Sequence, residues 1–225
     1  MLEILPRTNC LVRPSVANVD QAIIVSSVKN PELDTYLLDK LLTIISYNNI
    51  EPIICFTKLD LLSSEERKDI DRYIEYYQNI GYKVVTNEDK NKFREILKDK
   101  ITVLTGQSGA GKSSLLNLLD RRLDLRTDEI SKALNRGKHT TRHTELFEVM
   151  DGYVVDTPGF SNVDFHGMSN MDIRDNMKEM FDNLDDCKYR DCMHIKEDGC
   201  AVKEKVKDGQ IKKSRYNNYK SFIER

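Results

Sequence analysis

The sequence contains no long apolar run, and no stretch of its 225 residues could cross a membrane as a helix. Its first residues, MLEILPRTNC, lack the basic region, apolar stretch and small-residue cleavage site of a secretory signal. There is no internal repeat and no low-complexity tract. The net charge of −2 excludes a strong overall attraction to nucleic acid. These absences predict a globular, cytoplasmic protein with no membrane partner.

Disulfide bonds are also not expected, because five cysteines are an odd number and no secretory signal precedes them. Cys187, Cys192 and Cys200 lie within fourteen residues of one another, with His194 between them. Three thiolates and one imidazole suit a tetrahedral structural Zn²⁺ with no open position for catalysis. We therefore predict a structural zinc site that stabilises a small helical region. The alternative is a group of free thiols.

Short apolar runs alternate with helical patterns along most of the chain. Strands are predicted at Gln21–Val28, Pro52–Phe56, Tyr82–Thr86, Ile101–Thr105, Glu145–Met150 and Tyr153–Asp156. Helical spacing marks Leu33–Tyr47, a stripe from Ile70 to Ile80, and Lys112–Leu119. This alternation predicts an α/β domain of residues 14–167 with a doubly wound, mostly parallel sheet. A helix near Asp172–Leu184, the Cys/His cluster and a basic helix then predict a separate zinc-binding helical domain, residues 168–225.

A phosphate-binding loop follows the predicted strand Ile101–Thr105. The stretch GQSGAGKS fits G-x-x-x-x-G-K-[ST] in full, and a helix is predicted directly after it. Its glycines allow backbone N–H groups to surround phosphates, and the helix N-terminus adds positive potential. Lys112 is expected to reach the β- and γ-phosphates and Ser113 to ligate Mg²⁺. The predicted nucleotide-binding residues here are Gly106, Gln107, Ser108, Gly109, Ala110, Gly111, Lys112, Ser113 and Ser114.

The tetrapeptide TKLD, Thr57 to Asp60, is the candidate reader of a guanine base. The Asp60 carboxylate can accept hydrogen bonds from guanine N1–H and the exocyclic amino group, and adenine offers neither donor there. Lys58 would lay its aliphatic stem along the base, and Leu59 completes the loop. Thr57 stands where asparagine is usual and lacks its amide, so we expect weaker bracing of the loop. Alone, TKLD also fits a strand end followed by a helix cap.

Two later segments supply candidate switch residues. The stretch DTPG fits D-x-x-G, in which Asp156 would hold Mg²⁺ and the Gly159 N–H would contact the γ-phosphate. The polar segment NRGKHTTR, residues 135–142, offers Thr140 or Thr141 as the hydroxyl that binds Mg²⁺ and the γ-phosphate. Either threonine could equally be an ordinary strand-start residue.

The residue after DTPG lacks the side chain that usually assists GTP hydrolysis. Many GTPases carry a glutamine there to orient the attacking water, but Phe160 cannot hydrogen-bond water. We name His139 as the in-chain catalytic candidate, the alternative being an exposed loop histidine.

The order of these motifs is that of a circularly permuted GTPase. The base reader comes first, followed by the phosphate-binding loop and the two switch segments. Such an order is tolerated because the site depends on where loops lie in space. As a consequence, the second switch runs directly into the C-terminal region.

Six stretches together resemble the ribosome small-subunit-dependent GTPase A (RsgA/YjeQ) family. They are LPRTNCLVRPSVANVDQ, TKLD, GQSGAGKSSLLN, LNRGKHTTRHTELF, DTPGF and CKYRDCMHIKEDGCAVK. The resemblance covers essentially the whole chain. It implies a GTPase that binds GTP and GDP, acts in late assembly of the 30S subunit, is activated by that subunit and contacts 16S rRNA. It also implies a catalytic role for His139.

The family carries an N-terminal OB-type RNA-binding domain, of which we expect only the trailing edge, residues 1–13, in this chain. RNA could also contact Lys203–Arg225, where eight Lys/Arg face three Asp/Glu, although a solvated basic helix is an equal interpretation. We expect a monomer. Two other functions stay open: a P-loop ATPase or kinase with an accidental TKLD, and a zinc-stapled RNA-binding module with little catalysis.

Overall fold

The computed structural model describes residues 6–11, 16–123, 145–156 and 164–224. A short antiparallel ribbon pairs β1 (Cys10–Leu11) with β2 (Val16–Ala17). A six-stranded sheet follows, formed by β3 (Gln21–Ser27), β4 (Glu51–Thr57), β5 (Lys83–Thr86), β6 (Ile101–Gly106), β7 (Glu145–Val149) and β8 (Gly152–Asp156). All six strands were predicted from sequence, within two residues at each end.

The strand order in the sheet is β5-β4-β3-β6-β8-β7. Every pair is parallel except β7 with β8. The chain runs outward from β3 to β5, then returns to the other side of β3 as β6. This reversal places a topological switch point between β3 and β6, where ligands of such sheets bind at the carboxyl ends of the strands.

Helices cover both faces of the sheet, which explains why its strands read as continuous apolar runs. The helices are α1 (Thr35–Tyr47), α2 (Ser64–Asn79), α3 (Lys90–Leu97) and α4 (Lys112–Leu119). On one face, Ile24 packs in a core with side chains of α1 and α2. On the other, Ile23 and Val25 pack with α3 and α4. The predicted doubly wound α/β fold is therefore confirmed.

Local signals set where α2 begins and ends. The Ser63 hydroxyl accepts from the Glu66 N–H and the Glu66 carboxylate accepts from the Ser63 N–H, which is a complete capping box. The helix stops before Gly81, whose φ of +86° would strain any residue with a Cβ.

The C-terminal region, residues 164–224, contains α5 (Asn170–Asp175), α6 (Lys178–Asp182), α7 (Ala201–Lys207) and α8 (Lys213–Ile223). The single helix predicted near Asp172–Leu184 is wrong, because Met177 is extended and buried between α5 and α6. The final basic stretch likewise forms two helices, separated at Gly209 with φ +76°.

A third core joins this region to the α/β region, which we define as residues 16–123 and 145–156. Its buried members include Ile44 of α1 together with Ile173, Met180 and Phe222. The Tyr36 ring of α1 also meets the Phe222 ring edge-on, with centroids 5.0 Å apart. Within the described ranges, none of the helices has both the length and the apolarity to cross a membrane.

Candidate functional site

Three sequence-distant loops meet at the carboxyl ends of β3, β4 and β6. The Thr57 hydroxyl, at the end of β4, donates to the Ala110 carbonyl of the phosphate-binding loop at 2.6 Å. Thr57 is only 4% exposed. The hydroxyl that we expected to brace the loop poorly therefore ties TKLD directly to the phosphate-binding loop, because a threonine oxygen suffices as the donor.

Glycines shape the phosphate-binding loop where the backbone turns or approaches β3. Gly106 has φ +129°, and a Cβ there would lie 2.1 Å from the Val25 carbonyl oxygen of β3. Gly111 has φ +93° and precedes the first residue of α4. Only glycine fits these two positions without strain. The predicted strand–loop–helix context of the motif is present.

Lys112 begins α4 directly after this loop and is largely buried. Its Nζ donates to the Gly106 carbonyl at 2.9 Å and to the Gln107 carbonyl at 2.8 Å. Ser113, in the first turn of α4, is half-buried, and Ser108 and Ser114 are exposed. The loop thus holds a cation where the positive end of α4 emerges, which is the charge arrangement that a polyphosphate requires.

The TKLD loop turns sharply after β4. Lys58 adopts a left-handed backbone with φ +63°, and its Nζ donates to the Asn30 carbonyl in the loop after β3. Leu59 is buried and begins a short 3₁₀ turn, which places Asp60 in solvent. The Asp60 carboxylate is therefore exposed at this edge of the sheet.

The remaining predicted nucleotide contacts fall at or beyond the described residues. Asp156 is the last residue of β8, which lies beside β6 in the sheet, so its backbone reaches the same edge as the phosphate-binding loop. His139, Thr140, Thr141 and Gly159 lie outside the described residues.

Two residues of this edge were missed in the sequence. Asn30 contacts Lys58 from the loop after β3, and Asn87 follows β5 with its N–H on the Phe56 carbonyl at 3.1 Å. Within the described part of the chain, the buried Asn87 Oδ1 has no hydrogen-bond partner. The signal was available, because every parallel strand before the phosphate-binding loop sends its following loop to this edge.

The predicted metal ligands do come together. The ligand atoms of Cys187, Cys192, His194 and Cys200 all lie within 4.8 Å of one another. His194 Nδ1 is 3.6 Å from Cys187 Sγ and 3.3 Å from Cys200 Sγ, and these two sulfurs are 4.0 Å apart. Tetrahedral zinc would separate two sulfurs by about 3.8 Å and sulfur from nitrogen by about 3.6 Å. The cluster therefore fits a tetrahedral metal ion.

Neighbouring groups orient the cluster for metal binding. His194 Nε2 lies 3.0 Å from the Met180 carbonyl, which as a donor contact leaves Nδ1 as the ligand atom. Glu197 accepts backbone N–H groups of Met193, Ile195 and Lys196, each at 2.9 Å, and so holds the turn between the ligands.

Burial raises the pKa of the Cys192 thiol to about 12, and the neighbouring Cys200 adds to the rise. A thiol in this position stays protonated unless a cation compensates the thiolate charge. A bound divalent metal supplies that charge and would deprotonate the ligands.

The comparisons with known proteins agree with this geometry. The family model described as RsgA GTPase matches residues 4–166. A relative from Bacillus pumilus, named small ribosomal subunit biogenesis GTPase RsgA, is 47% identical over 99% of this chain and 77% of its own length. The protein of that name from Bacillus subtilis is 45% identical with the same coverage.

Solved structures show the same similarity. YloQ, described as a circularly permuted GTPase, has a TM-score of 0.81 and 39% identity over 99% of this chain and 73% of its own. YjeQ from Thermotoga maritima has a TM-score of 0.82 and 37% identity over 99% of this chain and 77% of its own. With its permuted motif order and phosphate-binding loop, this chain belongs to the RsgA GTPase family.

Proposed function

We propose that this chain binds GTP, hydrolyses it to GDP and acts in the biogenesis of the small ribosomal subunit. The observation that carries the proposal is the convergence of TKLD and the phosphate-binding loop, fixed by the hydrogen bond from Thr57 to Ala110. The curated relatives are named for biogenesis of that subunit. Contact with 16S rRNA, a monomeric state and a cytoplasmic location are parts of the same proposal.

The phosphate-binding loop would hold the polyphosphate. Backbone N–H groups of residues 106–113 would surround the phosphates, and Lys112 would exchange its carbonyl contacts for the β- and γ-phosphate oxygens. Ser113 and Asp156 would hold Mg²⁺, with Thr140 or Thr141. The ion would neutralise charge that develops on the γ-phosphate. The Gly159 N–H would donate to that phosphate.

Guanine would be selected at the TKLD loop. Asp60 would accept two hydrogen bonds from the base, and the Lys58 stem would pack along its face. Because Lys58 is already held by the Asn30 carbonyl, its stem needs little ordering when the base binds.

Hydrolysis would depend on His139, which we propose as the group that orients or deprotonates the attacking water. The Cys₃His cluster would hold one structural Zn²⁺, since all four ligand positions are protein side chains. The division into residues 1–13, 14–167 and 168–225 is proposed with it.

The test is GTP turnover by this chain with and without purified small ribosomal subunits. We expect turnover to rise with the subunits, and to depend on Asp60. The Asp60→Asn variant should lose GTP hydrolysis and gain hydrolysis of xanthosine triphosphate, because the amide donates where xanthine accepts. Asp69→Asn, an exposed change on α2, is the matched control. Equal use of ATP would favour the ATPase alternative. Background turnover with intact subunits, even when an N-terminal OB domain is joined to the chain, would favour the RNA-binding alternative.

A further inference from the structure

A buried arginine joins the C-terminal region to the α/β region. Arg215 of α8 is 1% exposed. Its Nη1 donates to Asp39 Oδ1 of α1 at 2.6 Å. Its Nε and Nη2 donate to Glu179 of α6 at 2.9 and 3.1 Å. One guanidinium therefore bridges carboxylates from both regions, which also removes Arg215 from the basic surface predicted to contact RNA.

Asn218 of α8 also donates to Asp39 Oδ2 at 2.6 Å, and three tyrosines of the α/β region join the network. The Tyr77 hydroxyl donates to Asp39 and the Tyr76 hydroxyl donates to Glu179, each at 2.7 Å. The Tyr82 hydroxyl accepts from Arg215 at 3.3 Å. The network thus spans α1, α2 and the start of β5 on one side, and α6 and α8 on the other.

The network also lies between the two candidate sites. On α8, the Tyr216 and Tyr219 hydroxyls donate to the carbonyls of His194 and Met193 in the metal-binding turn, at 2.6 and 2.7 Å. On the other side, α2 follows TKLD directly, and α1 follows the loop that holds Asn30. The helices bridged by Arg215 are therefore those that support the metal cluster and those that support the base-reading loop.

A network of this kind fixes one orientation more strongly than an apolar contact does. The guanidinium is planar, and its fork of donors satisfies both carboxylates only when α1, α6 and α8 keep their present placement. A shift of one helix would leave a charge buried without a partner, which is strongly unfavourable.

We propose that Arg215 is a positioning residue that couples the C-terminal region to α1 and α2, so that the two regions open as a single unit. Nucleotide bound at the sheet edge would then stabilise the helices around the metal cluster, although it contacts none of them. The inference goes beyond the proposed function, because it concerns transmission between two sites.

Hydrogen exchange measures this coupling directly, with GDP as the probe. When the free ligand concentration is 100 times the dissociation constant, opening of the whole cooperative unit that contains the binding site becomes about 100-fold less frequent. Amide exchange in that unit slows by the same factor. After the GDP affinity is measured by fluorescence titration, we expect the slowest amides of both α2 and α8 to be slowed by that factor. Slowing in α2 but not in α8 would overturn the coupling, while leaving the nucleotide site intact.

In the Arg215→Met variant, GDP should still slow amide exchange in α2 but no longer in α8, so that α8 exchange becomes independent of GDP. Arg174→Met is the matched control. Arg174 is also buried, but its partners are the Cys192 carbonyl and Asp175, both in the C-terminal region. That variant should keep equal slowing in α2 and α8.

Asp39→Asn provides a second variant if Arg215→Met does not fold. It removes the charge on the α/β side, keeps the side-chain volume and leaves the pair between Arg215 and Glu179. We again expect α8 exchange to become independent of GDP. Equal slowing of α2 and α8 in either folded variant would show that the other contacts between the regions couple them without Arg215, and the proposal would fail.

Discussion

At the residue scale, the site depends on a threonine where the amide of an asparagine is usual. The Thr57 hydroxyl has a single hydrogen to donate, and it donates it to the Ala110 carbonyl. A short hydrogen bond therefore joins the TKLD loop to the phosphate-binding loop. This makes the contact easy to test with a nearly isosteric change.

The Thr57→Val variant should weaken guanine nucleotide binding about tenfold and lower the free energy of unfolding by about 1–2 kcal/mol, since a buried carbonyl loses its donor. Titration with fluorescent GDP and urea unfolding measure the two effects. Thr105→Val is the matched control, because the buried Thr105 hydroxyl has no partner among the described residues. That change should leave stability unchanged or slightly higher. Wild-type affinity in Thr57→Val would show that the bond is dispensable.

Single residues differed in how far the sequence could predict them. The phosphate-binding loop and the Cys/His spacing are local patterns whose residue types are set by their chemistry, so their geometry could be predicted directly. The role of TKLD in reading the base stays a prediction. Asn30 was indicated only by its position after a parallel strand, and Arg215 gave no local signal, because its role arises from partners brought together only by the fold. Arg215 in particular reads as one more charge in a basic stretch.

At the element scale, the joint between β6 and the phosphate-binding loop tolerates no side chain. The Gly106→Ala variant should lower the free energy of unfolding by about 2–4 kcal/mol, because its Cβ would displace the backbone of β3. Gly209→Ala is the control, since Gly209 also has a positive φ, +76° against +129° at Gly106, but open space around it. That change should cost only about 1 kcal/mol of backbone strain. Equal losses in the two variants would contradict the steric argument.

The N-terminus of α2 should make stability depend on pH. Hydrogen bonds from Lys29 and Ser63 lower the pKa of Glu66 from 4.5 to about 2. The stabilisation is complete above pH 4.5 and is lost as the pH falls from there toward 2. Urea unfolding across this range should show a smaller loss for Glu66→Gln than for the wild type. Glu65→Gln, in the same turn, should behave as wild type, and a variant curve parallel to that of the wild type would refute the assignment.

Elements of the sheet were predictable because both faces are covered, which makes each strand a short apolar run between polar turns. The break between α5 and α6 was not predictable. Met177 keeps the apolar spacing of a helix, yet it is extended and fully buried in the third core. Tertiary packing, which the periodicity does not report, decided its conformation.

At the scale of the whole molecule, the metal cluster should stabilise the C-terminal region and, through the Arg215 network, the helices α1 and α2. The Cys192→Ser variant should release the zinc, and the slowest amides of residues after about 168 should lose protection in hydrogen exchange together with those of α2. Metal content by atomic absorption gives the first readout. Cys10→Ser, an exposed change outside the cluster, should keep one zinc per chain. Retained zinc in Cys192→Ser would remove that residue from the ligands.

The central position of β3 affects the order in which the protein is assembled. Gln21 of β3 pairs with Glu51 on one side and with Thr102 on the other. During synthesis, β3, β4 and the TKLD loop therefore leave the ribosome well before β6, and one side of β3 keeps unpaired backbone groups until then. The chain segment between β3 and β4 is also shorter than that between β3 and β6, so pairing β3 with β4 costs less loop-closure entropy. In refolding with pulsed hydrogen exchange, we expect β3–β4 pairs to gain protection before β3–β6 pairs. The permuted order of motifs along the chain would thus form the half with the TKLD loop first. One edge of β3 would stay unpaired until the half with the phosphate-binding loop is added.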